Sequence, residues 1–76
     1  MPTVAIIDGI RIEIFTNDHP PPHFHVRFGR KRAKFDIASG AMIKGSLENR
    51  TIRKVQRWTQ FNRDGLMQVW TSSRPR

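Results

Sequence analysis

Asn17–Phe28 reads NDHPPPHFHVRF and contains all three histidines of the chain. Three consecutive prolines fix φ, remove backbone donors and restrict the residues before them, which predicts a stiff, extended connector at Asn17–Pro22. Beyond the connector apolar and polar residues alternate, as they do in a strand with one face toward a core. The apolar and polar sets are, respectively, Phe24, Val26, Phe28 and His23, His25, Arg27. A rigid arm is therefore expected to lead into a strand that carries two histidines and an arginine on one face.

The same alternation recurs on both sides of this stretch. Asp8-Gly9, Gly29-Arg30-Lys31 and Ser39-Gly40 supply turn residues between the alternating runs. An antiparallel meander of about five strands with one apolar face is predicted. The expected strands are Thr3–Ile7, Ile10–Thr16, His23–Phe28, Arg32–Ala38 and Ala41–Lys44.

From Leu47 onward the apolar residues recur at helical spacing. Ser46 or Asn49 is a candidate N-cap for a first helix, and Asn62 for a second one. We expect two helices, or one helix kinked near Asn62, on the apolar face of the sheet, followed by a basic tail at 72–76. The predicted fold is a single α+β domain over residues 1–76, with the meander at 1–45 and the helical cover and tail at 46–76.

The charge balance is the strongest global signal. Fourteen Lys and Arg against six Asp and Glu give a formal charge of +8, which predicts a polyanionic partner: RNA, DNA or an acidic protein. The absence of cysteine excludes disulfides and a thiolate nucleophile. No signal peptide and no membrane-spanning run is recognisable, so we expect a cytoplasmic protein with no membrane partner.

Strand parity predicts a polar surface shared by neighbouring strands. Two hairpin registers are open, one turning at Gly29-Arg30 and one at Arg30-Lys31, and both place Asp36 beside a histidine. This arrangement suits a metal-independent endoribonuclease in which the 2′-hydroxyl of the RNA attacks and no cofactor is needed. The expected roles are His25 as base, His23 as acid, Asp36 as the orienting carboxylate and Arg27 as the stabilising cation.

Other residues are candidates for nucleic-acid binding. Lys34 and Phe15 share the polar face, where the lysine could contact phosphate and the ring could stack on a base. Four basic residues also line one predicted helix face, which is either a phosphate-binding or partner-docking surface or an ordinary solvated face. These four are Arg50, Arg53, Lys54 and Arg57.

Two alternatives to the endoribonuclease hypothesis remain open. A His-x-His strand projects both imidazoles to one side, so His23 and His25 with Asp18 or His19 could bind a metal ion, although Arg27 would repel it. In the second alternative the histidines are structural and hydrogen-bond loop carbonyls while Asp18 caps the turn.

Finally, the chain resembles a known bacterial family. The likeness rests on Met1-Pro2-Thr3, Gly9-Ile10 and Asn17–Val26, and continues through Asp36-Ile37, Gly45, Trp58, Asn62–Leu66 and Trp70. These residues are similar to those of domain of unknown function 4160. Such genes often stand beside those of domain of unknown function 2442 in pairs that look like toxin–antitoxin modules. The resemblance implies a small basic toxin acting on RNA, neutralised by an acidic antitoxin-like partner; a non-catalytic nucleic-acid-binding regulator or antitoxin-type module is the alternative.

Overall fold

The computed structural model describes residues 3–74 and contains one sheet and one helix. Five strands pair antiparallel in the order β1-β2-β3-β4-β5, so each strand lies beside its neighbours in sequence. The predicted antiparallel meander is thus confirmed. The elements are β1 (Thr3–Ile7), β2 (Ile10–Glu13), β3 (His23–Phe28), β4 (Lys31–Asp36), β5 (Met42–Gly45) and α1 (Asn49–Ser72).

Strand β2 is shorter than predicted. It ends at Glu13 rather than Thr16, and Asn17 has a φ of 62°, which lies outside the strand region. The chain therefore leaves the sheet before the proline connector begins.

The hairpin between β3 and β4 turns at Gly29-Arg30, the first of the two expected registers. Gly29 has a φ of 61°, which a residue without a Cβ adopts readily. The register pairs His23 with Asp36, His25 with Lys34 and Arg27 with Arg32. Paired residues point to the same side of a sheet, so this register brings the charged residues of β3 and β4 together.

The prediction of two helices is wrong, because one helix of 24 residues runs from Asn49 to Ser72. Asn62 does not cap a second helix: its Nδ2 donates to the carbonyl of Trp58 at 2.8 Å, one turn earlier in the same helix. The N-cap is Glu48, which makes no side-chain capping bond, so neither predicted cap, Ser46 or Asn49, is used. Within residues 3–74 no helix combines the length and the apolar character needed to cross a membrane.

The helix packs on the apolar face of the sheet. Phe24 and Phe35 stack across β3 and β4 with ring centroids 5.5 Å apart, and Trp58 of the helix meets Phe24 edge-on at 6.2 Å. Truncating a buried aromatic ring of this kind typically costs about 3–5 kcal/mol. The buried apolar residues are Ile10, Ile12, Ile14, Phe24, Val26, Ala33, Phe35, Ile37, Leu47, Val55, Leu66 and Trp70.

The C-terminal end of the helix is fastened to the proline connector. The backbone N–H of Asn17 donates to the carbonyl of Ser73 at 3.2 Å, and Nη1 of Arg74 donates to the carbonyl of Asp18 at 2.8 Å. The guanidinium of Arg74 also lies 5.0 Å from the ring centroid of Trp70. Ser73 and Arg74 of the predicted tail are therefore held in place by these contacts, while its last two residues, Pro75 and Arg76, lie outside the described residues.

Candidate functional site

The proline connector folds back over β3 and brings one carboxylate onto both histidines of the His-x-His pair. Nε2 of His25 donates a hydrogen bond of 2.7 Å to Oδ2 of Asp18. Nε2 of His23 lies 3.0 Å from the same oxygen. One ligand atom from each of these three residues lies within 4.8 Å of the others. We call Asp18, His23 and His25 the Asp-His-His cluster.

His23 is the most enclosed member of the cluster: although it lies on the predicted polar face, only 5% of its surface is exposed. Its ring packs against Trp70 at a centroid distance of 5.3 Å. Nδ1 of His23 donates to the carbonyl of Pro21 at 2.8 Å, a contact of the kind that the structural alternative predicts. Nε2 is buried and, despite its proximity to Asp18, lacks the alignment of a hydrogen bond.

The carboxyl of Asp18 is ionised more readily than a free aspartic acid. Burial raises its pKa, but the hydrogen bond from His25, the hydrogen bond from the backbone N–H of His19 and the electrostatic effect of the two nearby imidazoles together lower the pKa below its usual value. His19 contributes only its backbone N–H, which donates to Oδ1 of Asp18 at 3.0 Å. The exposed side chain of His19 is not part of the cluster.

Asp36 does not take the orienting role expected of it. It is paired with His23 in the register, yet its Oδ2 accepts the backbone N–H of Ser39 at 2.7 Å and so closes the turn after β4. The turn offers a fixed donor three residues away, which holds the carboxylate away from the imidazole. The carboxylate that contacts the histidines is Asp18, which the sequence analysis assigned only to the metal alternative and to a capping role.

The polar face around His25 is lined with like charges in direct register. Arg11, Arg27 and Arg32 lie side by side across β2, β3 and β4. Lys34 is likewise paired with Lys44 across β4 and β5. Directly opposed like charges destabilise a sheet, so the binding of an anion to this face would relieve their repulsion. We call the five residues the basic sheet face.

Two shallow depressions open on either side of His25. The smaller, of about 120 Å³, is lined in part by Phe15, Arg27 and Arg32. The larger, of about 230 Å³, is lined by Lys34 and Lys44 among others, and His25 borders both. The ring of Phe15 is half-buried and meets the imidazole of His25 edge-on at 4.4 Å, so only part of it remains for stacking on a base.

Glu13 was not predicted as part of this surface, and neither were Arg11, Arg32 and Lys44. Glu13 is paired with His25 across β2 and β3, is 1% exposed, and neither carboxylate oxygen has a hydrogen-bond partner. Its place in the alternation of β2, on the same face as Arg11, was the available signal. Both carboxyl oxygens of Glu13 are therefore enclosed beneath the basic sheet face without a hydrogen-bond donor.

The basic helix residues lie apart from this site. Arg50, Arg53 and Arg57 are exposed on α1, which packs on the opposite face of the sheet from His25. Lys54 is partly engaged, since its Nζ lies 3.4 Å from Oδ2 of Asp8. A single phosphate-binding surface cannot include both this helix face and the Asp-His-His cluster.

Comparison with known proteins places the chain in a family. The family model described as domain of unknown function (DUF4160) matches residues 9–71, which include all five residues of the basic sheet face and the whole cluster. The chain belongs to the DUF4160 family. No curated protein and no solved structure matches the chain.

Proposed function

We propose that the protein is an RNA-directed toxin that binds single-stranded RNA on the basic sheet face and cleaves it at His25. The observation that carries this proposal is the row of arginines, Arg11, Arg27 and Arg32, held side by side by the strand register. Phosphates spaced along a nucleic-acid strand relieve this repulsion and release counterions.

The contact between Asp18 and His25 supports cleavage rather than binding alone. With Nε2 of His25 bonded to a carboxylate, its other nitrogen, Nδ1, is the one available for proton exchange. The side chain of His25 keeps 21% of its surface exposed, at the border of the two depressions. A substrate can reach His25 but not the buried His23. The role of general acid expected of His23 is therefore not part of the proposed mechanism.

The proposed chemistry is internal transesterification. Nδ1 of His25 takes the proton of a ribose 2′-hydroxyl, whose oxygen attacks the adjacent phosphorus. The bond from O2′ to phosphorus forms, the bond from phosphorus to O5′ breaks, and the departing O5′ takes a proton from water. Arg27 and Lys34 border His25 on its own strand and on the next, and they stabilise the extra negative charge on the phosphoryl oxygens. The products are a 2′,3′-cyclic phosphate and a 5′-hydroxyl.

An acidic partner protein would neutralise the toxin by covering a basic surface. The helix residues Arg50, Arg53 and Arg57 are exposed and lie away from the site. They offer such a partner further charge contacts, while neutralisation itself requires the partner to cover the basic sheet face and exclude RNA. The alternative function is a nucleic-acid-binding regulator without catalysis, which would use the same basic sheet face.

The test is cleavage of an end-labelled single-stranded RNA by purified protein in the presence of a chelator. We expect products ending in a 2′,3′-cyclic phosphate, and no cleavage where the 2′-hydroxyl at the scissile position is replaced by hydrogen. The variant His25→Ala should lose cleavage but retain RNA binding. The matched control is His19→Ala, which removes an exposed imidazole outside the cluster and should cleave normally.

Two results would count against cleavage. Wild-type protein that binds RNA but leaves it intact indicates the regulator. Cleavage that survives in His25→Ala indicates a contaminating nuclease or a different site.

A further inference from the structure

The Asp-His-His cluster has the composition of a transition-metal site. Two imidazoles and one carboxylate are the ligand set of many zinc and non-haem iron centres, and nitrogen ligands favour these ions over Mg²⁺ and Ca²⁺. The three side chains are brought together by the connector, which places Asp18 over the His-x-His strand. One ligand atom from each residue lies within 4.8 Å of the others.

His23 is held as a metal-ligating histidine is held. Its Nδ1 donates to the carbonyl of Pro21 at 2.8 Å, which keeps the proton on Nδ1 and leaves the lone pair on Nε2. That lone pair is buried, has no aligned hydrogen bond and lies 3.0 Å from the carboxylate of Asp18. A lone pair facing a carboxylate is electrostatically unfavourable unless a cation lies between them.

The distances within the cluster are close to those around a bound ion. Metal–ligand bonds of about 2.0–2.2 Å place neighbouring ligand atoms roughly 3.0–3.4 Å apart, depending on the coordination geometry. The two nitrogens lie 2.7 and 3.0 Å from Oδ2 of Asp18. The two nitrogen–oxygen separations need to widen by only a few tenths of an ångström, and rotation of the imidazoles, whose ligand atoms lie within 4.8 Å of each other, would bring all three atoms to coordinating distance.

The arginine side chain that contacts Asp18 does not bind its carboxylate. Arg74, the cation bonded to Asp18, donates to its backbone carbonyl and packs on Trp70. Among residues 3–74 no lysine or arginine forms an ion pair with the Asp18 carboxylate. The buried carboxyl group of Glu13 lies on the same sheet face, in register with His25, and its oxygens have no hydrogen-bond donor.

We infer that Asp18, His23 and His25 bind one divalent transition-metal ion, zinc or an ion of similar preference, through Oδ2 and the two Nε2 atoms. Exposure of 19% for Asp18 and 21% for His25 leaves a path for the ion and for water to complete its coordination. This inference goes beyond the proposed function and does not depend on it, because metal binding is measured without RNA.

The experiment uses protein purified without a polyhistidine tag and dialysed against a chelator. Calorimetric titration with Zn²⁺ should show one equivalent bound, and Mg²⁺ should not compete. Removing a ligand should weaken binding by more than the roughly 10–100-fold typical of second-shell changes. We expect that loss for His23→Ala, His25→Ala and Asp18→Asn, and no loss for the matched controls His19→Ala and Asp36→Asn.

A measurement on the wild-type protein guards against variants that do not fold. In ¹⁵N spectra of the histidine rings, Zn²⁺ should shift the Nε2 resonances of His23 and His25 and leave those of His19 unchanged. Absence of saturable binding overturns the inference. So does binding that shifts His19 alone, or binding that persists in folded His23→Ala and His25→Ala proteins. RNA cleavage by a protein that fails these tests would leave the proposed function standing.

Discussion

Asp18 and His25 are joined by a hydrogen bond of 2.7 Å across the proline connector, whereas Asp36 bonds to the backbone of Ser39. The two aspartates can therefore be separated by experiment. The first holds the imidazole to which we assign the proposed cleavage, and the second holds a turn.

The substitution Asp18→Asn should lower the rate of RNA cleavage by about 10²-fold or more, the usual contribution of a positioned proton-transfer group. Asp36→Asn should cleave at nearly the wild-type rate, since Asn can still accept the turn hydrogen bond. Single-turnover cleavage at saturating protein measures both variants. Equal losses in the two variants would contradict the assignment of Asp18 as the orienting carboxylate.

The substitution Arg27→Gln should stabilise the protein while weakening RNA binding. Arg27 is flanked in register by Arg11 and Arg32, so removing its charge relieves cross-strand repulsion of about 0.2–1 kcal/mol at low salt. The salt dependence of single-stranded RNA binding should fall by about 0.7 in logarithmic slope for one lost phosphate contact.

Arg53→Gln on the helix is the control for this trade-off. Arg53 is exposed on an element that packs against the other face of the sheet. Urea unfolding and filter binding at several salt concentrations should show neither change in this variant. If the salt-dependence slope of RNA binding falls for Arg53→Gln and not for Arg27→Gln, RNA binds to the helix and not to the basic sheet face.

Zinc should inhibit RNA cleavage if the cluster binds it. An ion on Nε2 of His25 leaves the remaining ring proton on Nδ1, which then cannot accept the proton of the 2′-hydroxyl. Initial cleavage rates should fall as Zn²⁺ rises, with half-inhibition at the calorimetric dissociation constant, and a chelator should restore them. Stimulation at full occupancy would show instead that the ion takes part in the reaction.

The continuous helix predicts an unusual result for Asn62→Ala. An N-cap replaced by alanine typically costs about 1 kcal/mol, but within a helix alanine has the higher propensity by up to about 0.7 kcal/mol. Because Asn62 bonds back to the carbonyl of Trp58, we expect unchanged or slightly increased stability in urea unfolding. The reference is Gly65→Ala, whose added Cβ meets nothing within 4 Å and should gain about 0.5–1 kcal/mol.

Gly45 should be the glycine least tolerant of substitution in the sheet. A Cβ there would overlap the carbonyl oxygen of Arg32 and lie 2.5 Å from Cα of Ala33, at a φ of 101°. Gly45→Ala should cost about 3 kcal/mol or more in free energy of unfolding, since strain at φ and a backbone clash combine. Gly29→Ala shares a positive φ but has open space, so a loss of only about 1–2 kcal/mol is expected.

Local alternation was enough to predict the sheet. Turn residues and period-two patterns are properties of neighbouring residues, so five strands could be anticipated from them, and the register between β3 and β4 could be narrowed to two, of which the turn at Gly29-Arg30 is observed. The number of helices could not be predicted in this way. Asparagine is suited to an N-cap, but it can also lie within a helix and donate to a carbonyl one turn earlier, as Asn62 does. Packing along the whole sheet favours the single helix.

The sequence predicted that His23, His25 and an aspartate lie near one another, but it favoured Asp36 where the structure has Asp18. Strand alternation correctly places Asp36 opposite His23. It does not reveal that the carboxylate of Asp36 accepts a hydrogen bond from the backbone N–H of Ser39 in the following turn. The approach of Asp18 depends on the path of the connector, which includes residues outside regular secondary structure. Trp70 and Arg74 meet this region from the far end of the sequence, a long-range contact that no local pattern encodes.

The fastening of Arg74 to the carbonyl of Asp18 also has a consequence for synthesis on the ribosome. The two residues are separated by 56 positions in sequence. At the usual translation rate of 5–20 residues per second, roughly 3–11 s pass between the synthesis of Asp18 and the synthesis of Arg74. For most of that interval Trp70 has not yet been made, and the ring of His23 lacks the neighbour against which it packs. A nascent chain should therefore carry its histidines in an unassembled site, and any harmful activity toward RNA would begin only after the helix has left the exit tunnel.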